Sequence, residues 1–118
     1  MLGIFIPLES AVGETRVAAT PETIKKLNSL GFNVIVQHEA GVSAGFSDQS
    51  YKHAGADVVT NNDEDFLKKI DIVLCVNAPN RNFLAKLKPG TLLVGLAAFT
   101  ALGVGITKFI SAGAVMIT

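Results

Sequence analysis

Arg16 is the first side chain of the sequence whose type and position suggest chemistry. It lies in the loop "PLESAVGETRVAAT", which follows a short apolar run at residues 2–6. An arginine at the end of a strand can bind a carboxylate or a phosphate through its bidentate fork of N–H donors. The same spacing also permits a solvated arginine that is paired with Glu14 or Glu9. The sequence leaves both interpretations open and favours the ion pair.

Cys75 and Asn77 lie at the end of the apolar run "DIVLCV" (71–76), where the chain should leave a buried core. Cys75 is the single cysteine of the sequence. A reactive thiolate needs a basic neighbour or a helix N-terminus. Neither is near it in sequence, although Arg16 could approach across a sheet. We therefore favour packing as a small hydrophobe for Cys75, and we keep Arg16, Cys75 and Asn77 as candidates for a cleft or anion site.

The remaining polar patterns predict no catalytic, cofactor-binding or metal-binding residue in this chain. The segment "GVGITK" (103–108) resembles the glycine turn of a nucleotide site, but Lys108 stands where the third glycine should be. His38 and His53 have no neighbours in sequence that suggest a catalytic or metal site. The acidic run "DED" at 63–65 is explained by the dipole of a helix N-terminus.

The composition predicts a single globular domain that covers residues 1–118. Hydrophobic residues make up 49% and charged residues 17%, and ten Lys and Arg balance ten Asp and Glu. This balance argues against a disordered chain and against a nucleic-acid-binding module, which usually has a basic excess. A single cysteine favours a reducing, intracellular setting. The uncharged stretch between Lys88 and Lys108 approaches the length of a membrane span, but its glycines and threonines favour a buried strand, a turn and a helix.

Apolar runs alternate with helix signals along the chain. The predicted strands are 2–6, 32–38, 56–59, 71–76, 91–97 and 114–118. The predicted helices begin at Pro21, near Asp48 and near Asn62, and cover 81–87 and roughly 103–112. Because several strands are apolar on both faces, we expect an α/β, Rossmann-like (flavodoxin-like) open sheet, mostly parallel, with helices on both faces. In such sheets, ligands bind beyond the carboxyl ends of the strands.

Three blocks of the sequence resemble one family: "GETRVAATPETIKKLNSLGFNVIV", "AGFSDQSYKHAGADVV" and "DIVLCVNAPN…LKPGTLLV". They are similar to the N-terminal domain that alanine dehydrogenase shares with the alpha subunit of proton-translocating NAD(P) transhydrogenase. The resemblance covers most of residues 3–95, and the segments "ETRVAATP" and "VNAP" favour the transhydrogenase branch. Arg16 matches the arginine that holds the substrate carboxylate in alanine dehydrogenases, whereas Cys75 stands where relatives carry a lysine. Loss of that lysine argues against amino-acid dehydrogenation and also departs from the usual transhydrogenase pattern. An alanine-dehydrogenase-like oxidoreductase fragment is therefore the less favoured alternative.

This resemblance also implies cofactors and partners. NAD(H) would be bound mainly by a second domain absent from this chain, and NADP(H) by a partner subunit, without any metal. The implied partners are that NAD-binding domain, the transhydrogenase beta subunit, the membrane domains and a second copy in a homodimer. The implied location is cytoplasmic and peripheral to the inner membrane, and the domain would be inactive alone. The alternative hypothesis is a stand-alone, non-catalytic binding domain in which Arg16 holds a small anion.

Overall fold

The structure is a computed structural model that describes residues 2–60, 64–77 and 79–95. Strands and helices alternate along these residues, as the sequence predicts. In chain order the elements are β1 (Gly3–Ile6), α1 (Pro21–Ser29), β2 (Asn33–Gln37), a 3-10 helix (Val42–Ala44), α2 (Asp48–His53), β3 (Asp57–Val59), α3 (Glu64–Leu67), β4 (Ile72–Cys75), α4 (Arg81–Ala85) and β5 (Leu92–Gly95). Each of the five strands predicted to begin before residue 96 is present, and each begins one residue later than expected.

The five strands form one sheet in the order β3-β2-β1-β4-β5. All neighbouring strands are parallel: Phe5 of β1, for example, lies beside Ile35 of β2 and Val73 of β4. The expected open, parallel α/β sheet is therefore confirmed. Among doubly wound sheets, this order is the Rossmann order, in which the chain runs outward from β1 and then returns to β4 on its other side.

Two apolar clusters cover the two faces of the sheet. On one face, Ile6 of β1 packs with Leu27 of α1 and Tyr51 of α2. On the other face, Phe5 of β1 packs with Phe83 just inside α4, and their rings stack at a centroid distance of 6.1 Å. Successive residues of a strand point to opposite faces, so a single strand contributes to both clusters. Helices thus lie on both faces, as expected.

The fourth strand is apolar on both faces, as the sequence predicts for several strands. Ile72, Leu74 and Val76 belong to the cluster on the α1 face, and Val73 belongs to the cluster on the α4 face. All four side chains are buried. This strand is therefore central in the sheet and apolar on both faces, which is typical of parallel sheets covered by helices.

The predicted start of α1 at Pro21 is confirmed, and residues typical of helix ends flank the helix. The side chain of Thr20 accepts a hydrogen bond from the backbone N–H of Thr23 at 3.2 Å, and Pro21 occupies the first helical position. Beyond the helix, Gly31 has φ of 96°, a conformation that a glycine adopts without steric cost.

A polar cluster connects the strands at the amino edge of the sheet, the edge where the parallel strands begin. Asp71, just before β4, accepts a hydrogen bond from the backbone N–H of Gly3 at 2.8 Å and one from the Lys88 ammonium at 2.7 Å. The Lys88 contact and then the Gly3 contact lower the pKa of Asp71. Asp71 therefore links the starts of β1 and β4, the two strands whose other ends form the candidate site.

Several predictions concern residues that the structure does not describe. The expected helix at 103–112, the strand at 114–118 and most of the uncharged stretch after Lys88 lie outside the described residues. Among the residues that are described, no helix is long and apolar enough to cross a membrane. The 3-10 helix lies between the predicted strand 32–38 and the helix predicted near Asp48, where the sequence predicted neither strand nor helix.

Candidate functional site

The connections that follow β1 and β4 leave toward opposite faces of the sheet. After β1 the chain continues to α1, which packs on the face of Ile6, and after β4 it continues to α4, which packs on the face of Phe5. The two loops therefore diverge and leave a crevice at the carboxyl edge. Open α/β sheets bind their ligands at this kind of switch point.

A pocket of about 270 Å³ lies in this crevice. It is bounded by the loop after β1, the end of β2, the end of β4 and the start of α4. The lining residues are Pro7, Leu8, Glu9, Ser10, Ala11, Gln37, Cys75, Asn77, Pro79, Asn80 and Phe83. The volume is close to the lower limit for small-molecule sites, so it suits a small ligand or one end of a larger one.

Glu9 joins the loop after β1 to the end of β4. Its carboxylate accepts hydrogen bonds from the consecutive backbone N–H groups of Val76, at 2.9 Å, and Asn77, at 3.0 Å. Consecutive N–H groups of this kind form a concave anion-binding site, and here an acidic side chain of the same chain fills it. The negative charge of Glu9 is thereby fixed at the pocket wall.

Glu14 makes a second link between the same two loops. One carboxylate oxygen, Oε1, accepts hydrogen bonds from Arg16 Nη2 at 2.8 Å and from Asn77 Nδ2 at 2.6 Å. The other oxygen, Oε2, accepts from Arg16 Nε at 2.9 Å and from the Arg16 backbone N–H at 3.0 Å. The Glu14 side chain is 9% exposed, whereas the Arg16 side chain is 61% exposed. The carboxylate is thus enclosed by its donors while the guanidinium faces solvent.

These contacts explain the acidity of Glu14. The side-chain hydrogen bond from Arg16, then its backbone hydrogen bond and the one from Asn77, lower the pKa of Glu14 to about 2. In return, the contact with Glu14 raises the pKa of Arg16. Both groups are therefore charged at neutral pH and neutralise each other.

Cys75 has the properties of a packing residue. Its side chain is buried, and its Sγ donates a long hydrogen bond to the Val94 carbonyl at 3.6 Å. Burial, and then the negative charge of Glu9, raise the pKa of the Cys75 thiol to about 12. A thiol of this acidity holds almost no thiolate at neutral pH, so the position offers no activated nucleophile.

Two amide side chains, Gln37 and Asn80, make hydrogen bonds to the backbone at other parts of the pocket lining. Gln37, at the end of β2, accepts a hydrogen bond from the backbone N–H of Leu8 through Oε1 at 2.8 Å. Asn80 caps α4 by accepting from the backbone N–H of Phe83 through Oδ1 at 2.9 Å. Of the lining residues that the structure describes, Glu9 alone is an Asp, Glu, Lys or Arg, so the acidic side chain of the pocket has no basic one beside it in the lining.

The structure brings two of the three candidate residues to the pocket. Cys75 and Asn77 line it, whereas Arg16 is outside the lining and reaches it only through Glu14. The sequence favoured an ion pair of Arg16 with either Glu14 or Glu9, and the pair present in the structure is the one with Glu14. The sequence did not predict that Glu9 and Gln37 belong to the pocket. Glu9 lies just after a strand, but nothing local in the sequence indicates that its partners are 67 and 68 residues away.

The described pocket does not fit the pyrophosphate of a dinucleotide. Such a site needs a short glycine-rich turn that leads directly into a helix N-terminus. Here the long loop 7–20 joins β1 to α1, and it brings Glu9 and Glu14 to this edge. The backbone N–H groups that could bind an anion are bonded to Glu9. Among the residues described, no group of His, Cys, Asp and Glu could hold a metal ion.

The Rossmann strand order and the pocket at its switch point define the class of the protein, an open α/β domain with a crevice at the carboxyl edge of its sheet. Comparison with known proteins identifies the family. The sequence matches the family described as "Alanine dehydrogenase/PNT, N-terminal domain" over residues 5–118. The chain belongs to this family. The resemblance inferred from the three sequence blocks is therefore confirmed.

Relatives from both branches of the family are similar to the chain. NAD(P) transhydrogenase subunit alpha of Haemophilus influenzae is 43% identical over 91 residues, which are 77% of this chain and 17% of that protein. Alanine dehydrogenase 1 of Staphylococcus aureus is 36% identical over 83 residues, which are 70% of this chain and 22% of that protein. The crystal structure of the transhydrogenase from Sinorhizobium meliloti superposes with a TM-score of 0.72 at 36% identity, covering 79% of this chain and 27% of that one. The chain thus spans 17% and 22% of the lengths of these two curated relatives.

Proposed function

We propose that this chain is the N-terminal domain of the alpha subunit of an NAD(P) transhydrogenase, which transfers hydride from NADH to NADP⁺. The observation that carries the proposal is the identity of 43% with the Haemophilus influenzae subunit alpha over 77% of the chain. The alanine dehydrogenase of Staphylococcus aureus is less similar, at 36% over 70% of the chain. In this role the domain forms one wall of a nucleotide cleft and is inactive alone.

NAD(H) is assigned mainly to a second domain of the same subunit, and NADP(H) to a partner subunit. The pocket supports this division, because the backbone N–H groups that could otherwise bind a phosphate already donate their hydrogen bonds to Glu9. The lengths agree with it as well, since the chain corresponds to 17% of its transhydrogenase relative. We assign no catalytic and no metal-binding residue to this domain.

The chemistry of the pocket also favours transhydrogenation over amino-acid dehydrogenation. Hydride transfer from one nicotinamide to another releases and consumes no proton, so it needs no acid or base from the protein. Amino-acid dehydrogenation needs a proton donor and acceptor near the reacting carbon. Cys75 is a poor candidate for that role, because its thiol has a pKa of about 12. The described part of the pocket is therefore better suited to shape a cleft and exclude water.

Exposed apolar side chains at the carboxyl edge support docking of another domain there. Leu8 and Val12, in the loop after β1, and Val42, after β2, are large hydrophobic residues that are well exposed. Apolar surface of this kind often marks a contact site. The partners in this proposal are the NAD-binding domain, the transhydrogenase beta subunit and membrane domains, and a second copy of the subunit. The complex would place the domain on the cytoplasmic side, peripheral to the inner membrane.

A nucleotide assay tests the proposed role. The chain alone, given NADH and an NADP⁺ analogue, should give no turnover, and NADH with pyruvate and ammonium should give none either. Turnover by the chain without any added nucleotide-binding domain would contradict the proposal. Pyruvate-dependent oxidation of NADH would instead point to an alanine-dehydrogenase-like fragment.

The second candidate function is that of a stand-alone domain that binds a small anion in the pocket. Calorimetric titration of the chain with NADH and with small carboxylates distinguishes the two. Micromolar binding that is lost in Arg16→Ala would favour the stand-alone domain. The contact between Arg16 and Glu14 supports the transhydrogenase proposal instead, because Nε and Nη2 of the arginine already donate hydrogen bonds to Glu14.

A further inference from the structure

We propose that the amino edge of the sheet binds the surface of an anionic phospholipid bilayer, with the pocket at the carboxyl edge facing away from the membrane. The proposal is based on the lysines and the exposed leucines of the amino edge. It goes beyond the proposed function, because it involves no nucleotide, no hydride transfer and no partner subunit.

The fold collects lysines at the amino edge. All five strands are parallel, so each helix returns the chain from the carboxyl edge to the start of the next strand. Residues at the end of a helix, or between it and the following strand, therefore lie near the amino edge. Six lysines of the described residues occupy such positions: Lys26 and Lys52 in the last turns of α1 and α2, Lys68 and Lys69 between α3 and β4, and Lys86 and Lys88 between α4 and β5.

Acidic side chains neutralise only part of this edge. Asp57 begins β3, and Asp71, just before β4, pairs with Lys88 at 2.7 Å. The other five lysines of the set are exposed and form no ion pair with another described residue. The amino edge therefore carries a net positive charge.

The carboxyl edge has the opposite sign. The acidic residues in the loops after β1 and β2 and at the start of α2 outnumber Arg16, the basic residue of the same loops that carries a full charge: they are Glu9, Glu14, Glu39 and Asp48. The sequence as a whole is neutral, so its charges are separated between the two edges. An anionic surface attracts one edge and repels the other, which gives the bound domain a single orientation.

The helix dipoles explain part of the lysine pattern, because cations are favoured near helix C-termini. They do not explain the exposed leucines of the same edge. Leu2, just before β1, accepts a hydrogen bond through its carbonyl from the N–H of Asn33, the first residue of β2, at 2.9 Å, and Leu30 follows α1 shortly before Asn33. Leu2 is 50% exposed and Leu30 is 64% exposed.

Lysines beside exposed leucines match the chemistry of an anionic bilayer. The headgroups attract the ammonium groups, and the leucines enter the boundary between headgroups and acyl chains. A nucleic acid would attract the lysines as well, but its phosphate backbone offers the leucines no apolar partner. Arg16 and Arg81, the two arginines of the sequence, lie away from the amino edge, although arginine is the preferred bidentate phosphate ligand.

Sedimentation with lipid vesicles tests the proposal. The chain is mixed at low ionic strength with vesicles of phosphatidylcholine and phosphatidylglycerol in equal parts, or of phosphatidylcholine alone. We expect binding to the mixed vesicles only, and its loss at high salt. Lys68→Gln/Lys69→Gln should weaken binding about 25-fold, about fivefold for each lysine near the surface. Leu30→Gln should weaken it by about fivefold through loss of the apolar contact.

The matched controls change the same properties at the carboxyl edge. Arg81→Glu lowers the net charge by two, as the double lysine variant does, at an exposed position at the start of α4. Val12→Gln replaces a fully exposed apolar residue in the loop after β1. Both variants should bind the mixed vesicles nearly as the wild type does.

Two results with vesicles would overturn the proposal: no binding of the wild type to the mixed vesicles, or equal weakening by Arg81→Glu and by the double lysine variant. Binding to double-stranded DNA that is as tight as binding to the mixed vesicles, and depends on the same lysines, would overturn it in favour of a nucleic-acid partner. None of these measurements involves NADH or NADP⁺, so their failure is distinct from failure of the proposed function.

Discussion

Arg16 forms a bidentate ion pair with the carboxylate of Glu14, with Nε 2.9 Å from Oε2 and Nη2 2.8 Å from Oε1. An arginine at the carboxyl edge of a parallel sheet would ordinarily suggest a site for an anionic ligand. In this chain the arginine is instead committed to an acidic residue of its own loop. The pocket beside it carries the charge of Glu9 and presents no free cation among its described lining residues.

Replacing Arg16 by lysine should raise the pKa of Glu14. The lysine keeps the positive charge but cannot make the two-point contact, and the Arg16 side-chain hydrogen bond is the largest cause of the low value. NMR titration of the Glu14 carboxyl carbon should give a pKa of about 2 in the wild type and a pKa closer to the ordinary glutamate value in Arg16→Lys. Arg81→Lys, an exposed change at the start of α4, should leave the Glu14 titration unchanged. An unchanged Glu14 pKa in Arg16→Lys would refute the assigned cause.

Glu9→Gln should destabilise the chain. The glutamine keeps the size of the side chain, but its NH₂ group cannot accept a hydrogen bond, so the N–H of Val76 or Asn77 loses its acceptor. Loss of a partner for one partly buried group costs about 1–3 kcal/mol. Urea denaturation should give a lower free energy of unfolding by about this amount. Glu22→Gln, on the exposed side of α1, is the control and should change it little. Equal stabilities of the two variants would show that the Glu9 contacts do not hold the loops together.

Cys75 should resist alkylation in the folded chain. The side chain is buried, and burial raises the pKa of the thiol to about 12, which leaves little thiolate near pH 8. Iodoacetamide labelling followed by mass spectrometry should be slow in buffer and fast in denaturing urea. Rapid labelling of the native chain, at the rate of a small-molecule thiol, would mean that Cys75 is exposed and available for chemistry.

Acid should destabilise the chain through its hydrogen-bonded carboxylates. Glu14 has a pKa of about 2 in the folded chain against an ordinary value of 4.5. A lowered folded pKa means that the unfolded chain binds protons first, so the stabilisation is present above the unfolded value and is lost as the pH falls toward the folded one. Asp71, with its lowered pKa, acts in the same direction. The melting temperature should therefore fall steeply below the ordinary carboxyl range, and less steeply in Glu14→Gln. A variant that follows the wild-type curve would contradict this.

The sequence predicted those parts of the fold that depend on local signals. The helix predicted to begin at Pro21 does begin there, after its cap residue Thr20, and the strand predicted to be apolar on both faces places Leu74 and Val73 on opposite faces of the sheet. Each of these assignments depends on neighbouring residues and on the period of a strand or helix. The strand order had no such signal, because it is set by long-range pairing.

The candidate site was less predictable for the same reason. The contact between Arg16 and Glu14 spans two residues, and its spacing favoured an ion pair. The hydrogen bonds from Val76 and Asn77 to Glu9 cross more than half of the chain. They become visible only when the sheet places the ends of β1 and β4 side by side. Asn77 was a candidate because it follows a strand, but its partner Glu14 could not be read from the sequence.

The most direct test of the central claim is a domain exchange in the Haemophilus influenzae transhydrogenase. Residues 5–95 of this chain replace the matching segment of subunit alpha, and reduction of an NADP⁺ analogue by NADH is measured after assembly with the partner subunit. We predict turnover within about tenfold of the parent, a difference of about 1.4 kcal/mol in activation free energy. The matching segment of Staphylococcus aureus alanine dehydrogenase 1, exchanged in the same way, should give much less. A chimera of this chain that assembles and binds NADH like the parent, yet turns over no faster than the alanine dehydrogenase chimera, would contradict the assignment.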